Sequence, residues 1–438
     1  MAKNLLFLMA DQLGAHALDG ESQEFLATPR LARLREEGAA FTRAYTPFPL
    51  CVPGRSSLIS GRAPHEIGID RNRPSEEVVE EFRAGPTLPR TLQEHGFRTE
   101  WGGKWHAPRV EVSEADGFAL TRPFGDAGLA DWAAQRLDEL TTAEEPFALF
   151  VSFDDPHTIC EYARGQPMPY GDVEPAPPAD TPPLPLNHGP LPYEPEALVH
   201  ERAVGQNVHG TGTWGPDEWR QYRWTYARLV ERVDHQIGTV LAALERSGAA
   251  EDTLVVFTSD HGDGDGAHQW SQKSALYEEC IRVPLLLRAP GRPSGRTVSA
   301  PVTTAALVPT LCAELGIAPP PGIQPGNLLE DAPAEEVVVE TRIDHPASTT
   351  VGRSLLHGDW KYTVYSWGRH REQLHHLGED PLEMRNLAVE SRHGEMLASL
   401  RSRLLQRCLR DGDPFARRIP LPPDLPEEIR EQIFTPPY

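Results

Sequence analysis

The chain has 438 residues, 39% of them hydrophobic, a length that suits one large domain with an appendage or two domains. Lysine and arginine total 42 against 64 aspartates and glutamates, and the formal net charge of −22 argues against nucleic acid or an anionic membrane as a partner. An anionic substrate would need a local positive site, and a bound divalent cation is a natural way to build one.

The cysteines show no disulfide or zinc pattern. No two are spaced as CxxC, and their number is odd: Cys51, Cys160, Cys280, Cys312 and Cys408. This pattern indicates a reducing compartment. The first residues form only a short apolar run without a small-residue cleavage site, so the sequence predicts no secretory signal and no transmembrane span. We therefore expect a cytoplasmic protein.

The first predicted element is a buried strand of a parallel sheet. Residues 4–10 form a continuous apolar run, which is typical of such strands. Asp11 follows directly and would lie at the carboxyl edge of the sheet, where open α/β folds place their sites. The alternative for Asp11 is an ordinary turn or N-cap aspartate.

Residues 49–62 combine a cysteine with a predicted helix start. Pro53 suits the first turn of a helix, so we expect Cys51 just before it, where free N–H groups and the helix dipole favour an anion or a nucleophile. Arg55 would add a fixed cation with planar donors for oxyanions. Two interpretations of Cys51 stay open at this point, an activated thiolate and a buried structural cysteine.

Two further predicted strands also end in polar side chains. The patterns predict helices at 28–38, 87–95 and 126–140, and strands at 39–45, 97–103 and 146–153. Lys104 and His106 follow the strand at 97–103, and His157 follows the strand at 146–153. Each has an alternative as an ordinary surface or turn residue.

A proline-rich segment separates these elements from the clearest helix. Residues 167–195 contain few apolar side chains, and we expect residues 167–213 to cross the surface near the mouth of the site, where substrate selectivity would reside. The helix predicted at 214–246 carries aromatic and aliphatic residues at three-and-four spacing, which indicates core packing.

The strand predicted at 253–259 leads into a glycine- and aspartate-rich loop. Asp260 and His261 come first, followed by His268 and Lys273. Glycine lets the backbone fold tightly around an ion, and the ligand spacing of an EF-hand is absent. A solvated acidic loop is the alternative.

The remaining pattern predicts a smaller C-terminal unit. A strand at 281–289 and a helix at 303–315 complete the first domain, and a proline/glycine linker follows at 319–326. Beyond it, the sequence predicts strands at 336–341, 353–357, 359–366 and 372–377, a helix at 395–410 and a proline-rich tail at 414–438. We expect an α/β fold with a large, mostly parallel sheet flanked by helices in residues 1–333, and an α+β domain built on an antiparallel sheet in residues 334–438.

The motifs together resemble one family. Cys51-Val-Pro-Gly-Arg55 followed by Leu-Ile-Ser-Gly-Arg resembles the signature of the type I sulfatases, in the alkaline-phosphatase-like superfamily. Gly-Gly-Lys104-Trp-His106, Pro-His157 and Ser-Asp260-His261-Gly with Lys273 resemble further family motifs, in the family's order. The resemblance extends from about residue 4 to residue 387. Gly54 stands where many members carry Ser or Ala, Gln12 where many carry Asp, and His261 where many carry Asn.

The resemblance implies a nucleophile and a metal. In this family the cysteine is oxidised to formylglycine by a formylglycine-generating enzyme, so Cys51 would be modified, and its aldehyde hydrate would attack sulfur. A divalent cation, Ca²⁺ or Mg²⁺, would be held by Asp11, Gln12, Asp260, His261 and the modified Cys51. Arg55, Lys104 and Lys273 would offset charge on the sulfate oxygens. His106 would serve as a base, and His157 or His268 as the general acid.

The expected function is therefore hydrolysis of a sulfate monoester, on a small molecule or a carbohydrate. A phosphonate or phosphate ester hydrolase of the same superfamily is the nearest alternative, because the tetrahedral oxyanions are similar. A non-catalytic binding protein and a thiol hydrolase that pairs Cys51 with a histidine are the others. Family prevalence favours a sugar or small polar sulfate, and the sequence leaves the oligomeric state open.

Overall fold

The computed structural model describes residues 2–330, 336–345, 348–422, 427, 428 and 430. Their strands are β1 (Asn4–Asp11), β2 (Ala39–Phe41), β3 (Ala44–Tyr45), β4 (Arg98–Gly103), β5 (Leu120–Arg122), β6 (Phe147–Pro156), β7 (Thr253–Ser259), β8 (Arg282–Val283), β9 (Leu285–Arg288), β10 (Arg296–Val298), β11 (Val302–Thr303), β12 (Glu336–His345), β13 (Ser348–His357), β14 (Trp360–Tyr365) and β15 (Glu372–His376). Their α-helices are α1 (Pro29–Glu37), α2 (Cys51–Ser60), α3 (Glu76–Ala84), α4 (Leu88–Glu94), α5 (Leu129–Leu140), α6 (Ile159–Ala163), α7 (Glu196–His209), α8 (Pro216–Arg246), α9 (Glu278–Ile281), α10 (Leu307–Leu315) and α11 (Gly394–Asp411).

The main sheet has eight strands in the order β10-β2-β9-β7-β1-β6-β4-β5. The central strands β7, β1, β6 and β4 run parallel, and β9 is antiparallel to both of its neighbours. Strand β1 is apolar along nearly its whole length because helices cover both faces of the sheet. The predicted α/β fold with a large mixed sheet is confirmed.

Two helical layers cover the sheet. Helices α1, α5 and α8 pack on the face that carries Leu6 and Leu8, and the apolar stripe of α8 is buried there. Helices α2, α4 and α10 pack on the face that carries Leu5 and Phe7. No helix in the described part of the chain is both long and apolar enough to cross a membrane.

A four-stranded antiparallel sheet, in the order β12-β13-β14-β15, forms the C-terminal unit. Leu355 and Tyr362 on one face pack against Leu400 and Leu404 of α11. The other face packs with side chains of the larger unit, including Tyr45 and Tyr277. The antiparallel sheet is therefore confirmed, while the expected boundary between residues 333 and 334 falls in a segment outside the described residues.

Several predicted elements differ in detail. The segment 39–45 forms two strands in different sheets, since β2 pairs with β9 and β10 whereas β3 pairs with β8 and β11. The segment 281–289 is also divided into two strands, at Pro284, because proline has no N–H to donate to a neighbouring strand. Cys51 is the first residue of α2 and not the residue before it. Residues 196–209, predicted as part of an irregular excursion, form helix α7.

Candidate active site

The site lies at the carboxyl edge of the main sheet. Four neighbouring parallel strands, β7, β1, β6 and β4, each carry a charged side chain within their last three residues or directly after them: Asp260, Asp11, Asp154 and Lys104. Because the carboxyl ends of parallel strands meet at one edge, these groups converge without any long excursion of the chain. All four are buried.

Helix α2 brings Cys51 to this edge. Leu50 caps the helix in an extended conformation, and the N–H of Val52 in the first turn donates to Oδ1 of Asn72 at 3.0 Å. Every residue of α2 is buried, and the helix ends at Gly61 in the left-handed conformation. Cys51 therefore lies where the positive end of a helix dipole meets the ends of the strands.

Four potential metal ligands surround Cys51. Donor atoms of Asp11, Cys51, Asp260 and His261 all lie within 4.8 Å of one another. The Cys51 Sγ is 3.2 Å from Nε2 of His261 and 3.9 Å from Oδ1 of Asp11. His261 is held by a contact of 3.0 Å between its Nδ1 and the Gly262 carbonyl oxygen, which leaves Nε2 directed at the cluster.

Arg55 neutralises the two carboxylates from inside the protein. Its Nη2 donates to Asp11 at 2.9 Å and its Nε to Asp260 at 2.6 Å. Its Nη1 donates to the Lys104 carbonyl at 2.7 Å and to the Ser152 hydroxyl at 3.0 Å. With every donor nitrogen engaged and only 1% of the side chain exposed, Arg55 orients the acidic residues and does not face the pocket.

Two lysines provide the positive charge near the sulfur. Lys273 Nζ lies 3.1 Å from Cys51 Sγ and 2.9 Å from Gln12 Oε1. Lys104 Nζ lies 2.9 Å from Asp11 and 2.8 Å from Asp154. Burial and the Asp11 carboxylate raise the pKa of the Cys51 thiol, but Lys273, His261 and Lys104 outweigh them and hold that pKa well below its usual value.

The pKa values of the Asp11 and Asp260 carboxyl groups are shifted in opposite directions. Burial and the Asp11 charge raise the pKa of Asp260. Burial also acts to raise the pKa of Asp11, but Lys104, His157 and Arg55 overcome this effect and lower it well below the usual value. Two carboxylates held this close in a buried site are characteristic of a cation-binding centre.

A pocket of about 360 Å³ opens above Cys51. Lys104, His106, His157 and Lys273 all line it together with Cys51. His106 has a φ of 51°, and its Nδ1 is buried without a hydrogen-bond partner in the described part of the chain. The predicted nucleophile, both predicted lysines and two of the three histidines predicted to transfer protons therefore share one cavity.

Gln12 lies next to the cluster with its amide already engaged. Its Nε2 donates to Asp263 at 2.6 Å, and its Oε1 accepts from Lys273. Asp263 is buried and also accepts from Tyr222 at 2.9 Å. This arrangement fixes the orientation of Gln12 and directs its oxygen to the lysine.

His268 is not brought to the pocket. It is buried against Tyr277, with ring centroids 4.0 Å apart, and its Nε2 contacts Asn187 at 3.3 Å. Burial is the main cause that lowers the pKa of His268 to about 4, so the ring is neutral. The expectation that His268 donates a proton to the leaving group does not fit this placement, and His157 is the candidate that reaches the cavity.

Asp154 is the site residue that the sequence analysis overlooked. Besides Lys104, it accepts from the Tyr170 hydroxyl at 3.1 Å, and it lies 3.8 Å from Nδ1 of His157. Its own backbone N–H donates to Asp126 at 2.7 Å. The sequence pattern could have indicated Asp154, because Asp154 follows the apolar run 146–153 just as Asp11 follows the run 4–10.

Comparisons with known proteins agree with this geometry. The sulfatase family description matches residues 3–317, and the description of the C-terminal region of N-sulphoglucosamine sulphohydrolase matches residues 266–409. A Delta 4,5-hexuronate-2-O-sulfatase of Bacteroides thetaiotaomicron is 28% identical over 449 aligned residues, which cover 94% of this chain and 90% of that relative.

Solved structures show the same fold. A 2-O GAG sulfatase superposes with a TM-score of 0.81 at 25% identity, covering 98% of this chain and 96% of that one. A phosphonate monoester hydrolase from Silicibacter pomeroyi superposes with a TM-score of 0.70 at 21% identity, covering 93% and 95%, which shows the fold alone. With the family description matched over well more than half of its residues, the chain belongs to the sulfatase family of the alkaline-phosphatase-like superfamily.

Proposed function

We propose that this protein is a metal-dependent sulfatase that hydrolyses a sulfate ester of a carbohydrate, with Cys51 converted to formylglycine. The observation that carries the proposal is the shared cavity, in which Cys51 meets two lysines and two histidines beside a buried acidic cluster. The names of the relatives support the substrate class, since they include a hexuronate 2-O-sulfatase and a 2-O GAG sulfatase.

The donor set fits a hard divalent cation, and we propose Ca²⁺ or Mg²⁺. Asp11 and Asp260 offer carboxylate oxygens, which such ions prefer, whereas the Cys51 thiol is a soft ligand. Replacement of that sulfur by the oxygens of a formylglycine hydrate would bring the cluster into agreement with a hard ion. His261 would supply the remaining ligand. When bound, the cation would polarise a sulfate oxygen.

The chain's own residues would perform the other tasks. Lys273, next to the nucleophilic position, and Lys104, at the pocket wall, would hold the sulfate oxygens and offset the charge that develops on them. His157 would donate a proton to the oxygen of the departing alcohol, and His106 would accept the proton whose removal releases sulfate. Arg55 and Asp154 would position the acidic cluster and Lys104.

The test compares two esters with one leaving group. Protein produced beside a formylglycine-generating enzyme is assayed on an aryl sulfate and on the matching aryl phosphonate monoester, with Cys51→Ala as the control. We expect a higher kcat/KM for the sulfate and loss of turnover in the variant. A preference for the phosphonate would favour the alternative hydrolase, and equal activity of Cys51→Ala would exclude Cys51 as the source of the nucleophile.

A further inference from the structure

The outer wall of the Cys51 pocket carries two groups that the proposed chemistry does not use. Arg164 directly follows α6, His209 is the last residue of α7, and both line the pocket. The two segments approach each other closely, because a Cβ on Gly210 would lie 3.6 Å from the Ala163 carbonyl oxygen. Arg164 and His209 thus border the same part of the cavity.

Neither group is satisfied by the protein. Arg164 is exposed, and within the described residues its guanidinium forms no hydrogen bond and no ion pair. Nδ1 of His209 is buried without a partner in the same part of the chain. Two other charged residues that line the pocket are paired. Arg202 donates to Glu194 at 2.6 Å, and Glu201 lies 2.9 Å from Nε2 of His345. Donors left without acceptors at a pocket wall are suited to an acceptor on a ligand.

The positive charges around His209 favour the binding of an anion. Burial first, and then the charges of Arg164, Lys273 and His157, lower the pKa of His209 to about 4. The same positive field that disfavours protonation of this imidazole favours a negative group beside it. His209 is then a neutral hydrogen-bond donor, while Arg164 supplies the charge. This positive wall contrasts with the net charge of −22 of the chain.

We propose that Arg164 and His209 form a second anion subsite, which binds a carboxylate or an additional sulfate on the sugar whose sulfate ester is cleaved at Cys51. The subsite rests on the proposed function in one respect, namely that the sulfate group itself occupies the inner part of the pocket. A planar guanidinium matches either anion with two parallel hydrogen bonds. The subsite would make the enzyme selective for substrates with two negative groups.

Three probes separate the sources of the anion: glucose 2-sulfate, glucuronic acid 2-sulfate and glucose 2,6-disulfate. The proposal predicts that Arg164→Gln lowers the kcat/KM for a two-anion probe, relative to that for glucose 2-sulfate, by about fivefold to tenfold. His209→Asn should lower it less, because a neutral donor is lost. Arg246→Gln is the matched control, since Arg246 is exposed at the end of α8 and outside the pocket.

Calorimetric binding to Cys51→Ala protein adds a readout that does not depend on turnover. Weaker binding of the glucuronate probe alone in Cys51→Ala/Arg164→Gln would assign a carboxylate, and weaker binding of the disulfate alone would assign a sulfate. An equal change for all three probes, or no change, would overturn the subsite. Failure of the proposed function would look different, as wild-type protein would release no sulfate from any probe.

Discussion

Arg55 contacts the acidic residues of the site but does not line its pocket. It holds ion pairs with Asp11 and Asp260, the carboxylates of two different strands, while its remaining nitrogen binds backbone and hydroxyl oxygens. The sequence motif predicted that Arg55 binds oxyanions. It did not indicate whether these oxyanions belong to the substrate or to the protein itself. The structure assigns the guanidinium to the protein's own carboxylates.

Removal of Arg55 should therefore destabilise the fold. Arg55→Ala would leave two buried carboxylates without their shared partner, and we expect a loss of about 3–5 kcal/mol in the free energy of unfolding in chelator-treated protein. Urea denaturation measures this loss. The exposed Arg246→Ala serves as the control and should change stability by less than about 0.5 kcal/mol. Equal, small effects of the two substitutions would contradict the assigned role.

Lys273 should act on the rate rather than on the fold. Its Nζ contacts Cys51 Sγ and Gln12, so Lys273→Met would remove a positive group next to the reacting atoms. We predict that kcat/KM on an aryl sulfate falls by about 100- to 1000-fold. Lys3→Met is the control, because Lys3 pairs with Asp252 at the surface. A comparable loss in both variants would argue against a specific role of Lys273.

The sequence predicted individual site residues unevenly. Asp11, Lys104 and Asp260 could be placed because each follows an apolar strand, and the strand order alone brings them together. His268 could not, since a glycine-rich loop does not reveal which of its histidines turns into the core. Arg164 and His209 carry no motif, and only the approach of α6 to α7 places them on one wall.

At the scale of elements, α2 depends on a close approach that only glycine permits. A Cβ on Gly54 would come within 2.9 Å of two backbone oxygens, those of Phe48 and Asp260. Many members of the family carry Ser or Ala at this position, and here the chain before α2 and the end of β7 occupy that space. The departure from the family pattern thus has a steric reason in this protein.

Gly54→Ala should consequently destabilise the protein, although alanine is the better helix former. The backbone atoms that it meets cannot turn away as a side chain could, and we expect a loss of about 1–3 kcal/mol. Gly205→Ala in α7 is the matched control, because no atom lies within 4 Å of the new methyl group. That substitution should increase stability by about 0.5–1 kcal/mol. Thermal unfolding compares the two, and a stabilising Gly54→Ala would refute the steric argument.

Elements with strong periodicity were predicted nearly to the residue. The strand at 253–259 is observed with the same bounds, and the helix at 214–246 is observed as Pro216–Arg246. Helix α7 was missed because the proline-rich residues before it dominated the composition of the segment. The strand predicted at 39–45 was divided because partner choice among strands is a tertiary property that short apolar runs do not encode.

At the scale of the whole molecule, a buried ionic group joins the two units. His65, beyond the end of α2, lies 2.5 Å from Glu340 of β12. Arg353 of β13 lies 3.0 Å from Glu340 and 2.7 Å from Asp413, which follows α11. Burial opposes the charged imidazole, but hydrogen bonding and attraction to Glu340, with a contribution from Asp413, raise the pKa of His65 above its usual value.

This contact predicts a pH dependence of stability. Because the folded-state pKa of His65 is raised, its stabilising contribution is fully present below the ordinary imidazole pKa and is lost as the pH rises through the raised value. Urea denaturation at pH 6 and pH 9 should therefore show a larger loss of stability with rising pH in wild-type protein than in His65→Gln. Equal losses in both proteins would contradict the predicted role of His65 at the junction.

The central claim is that Cys51 is the precursor of the nucleophile. The most direct test is the mass of the tryptic peptide that begins at Ala44 and ends at Arg55, taken from protein produced in its native host. We predict the mass of an aldehyde in place of the thiol at Cys51. An unmodified thiol in active protein from that host would contradict the formylglycine mechanism, and a thiol hydrolase that uses Cys51 directly would then be the better account.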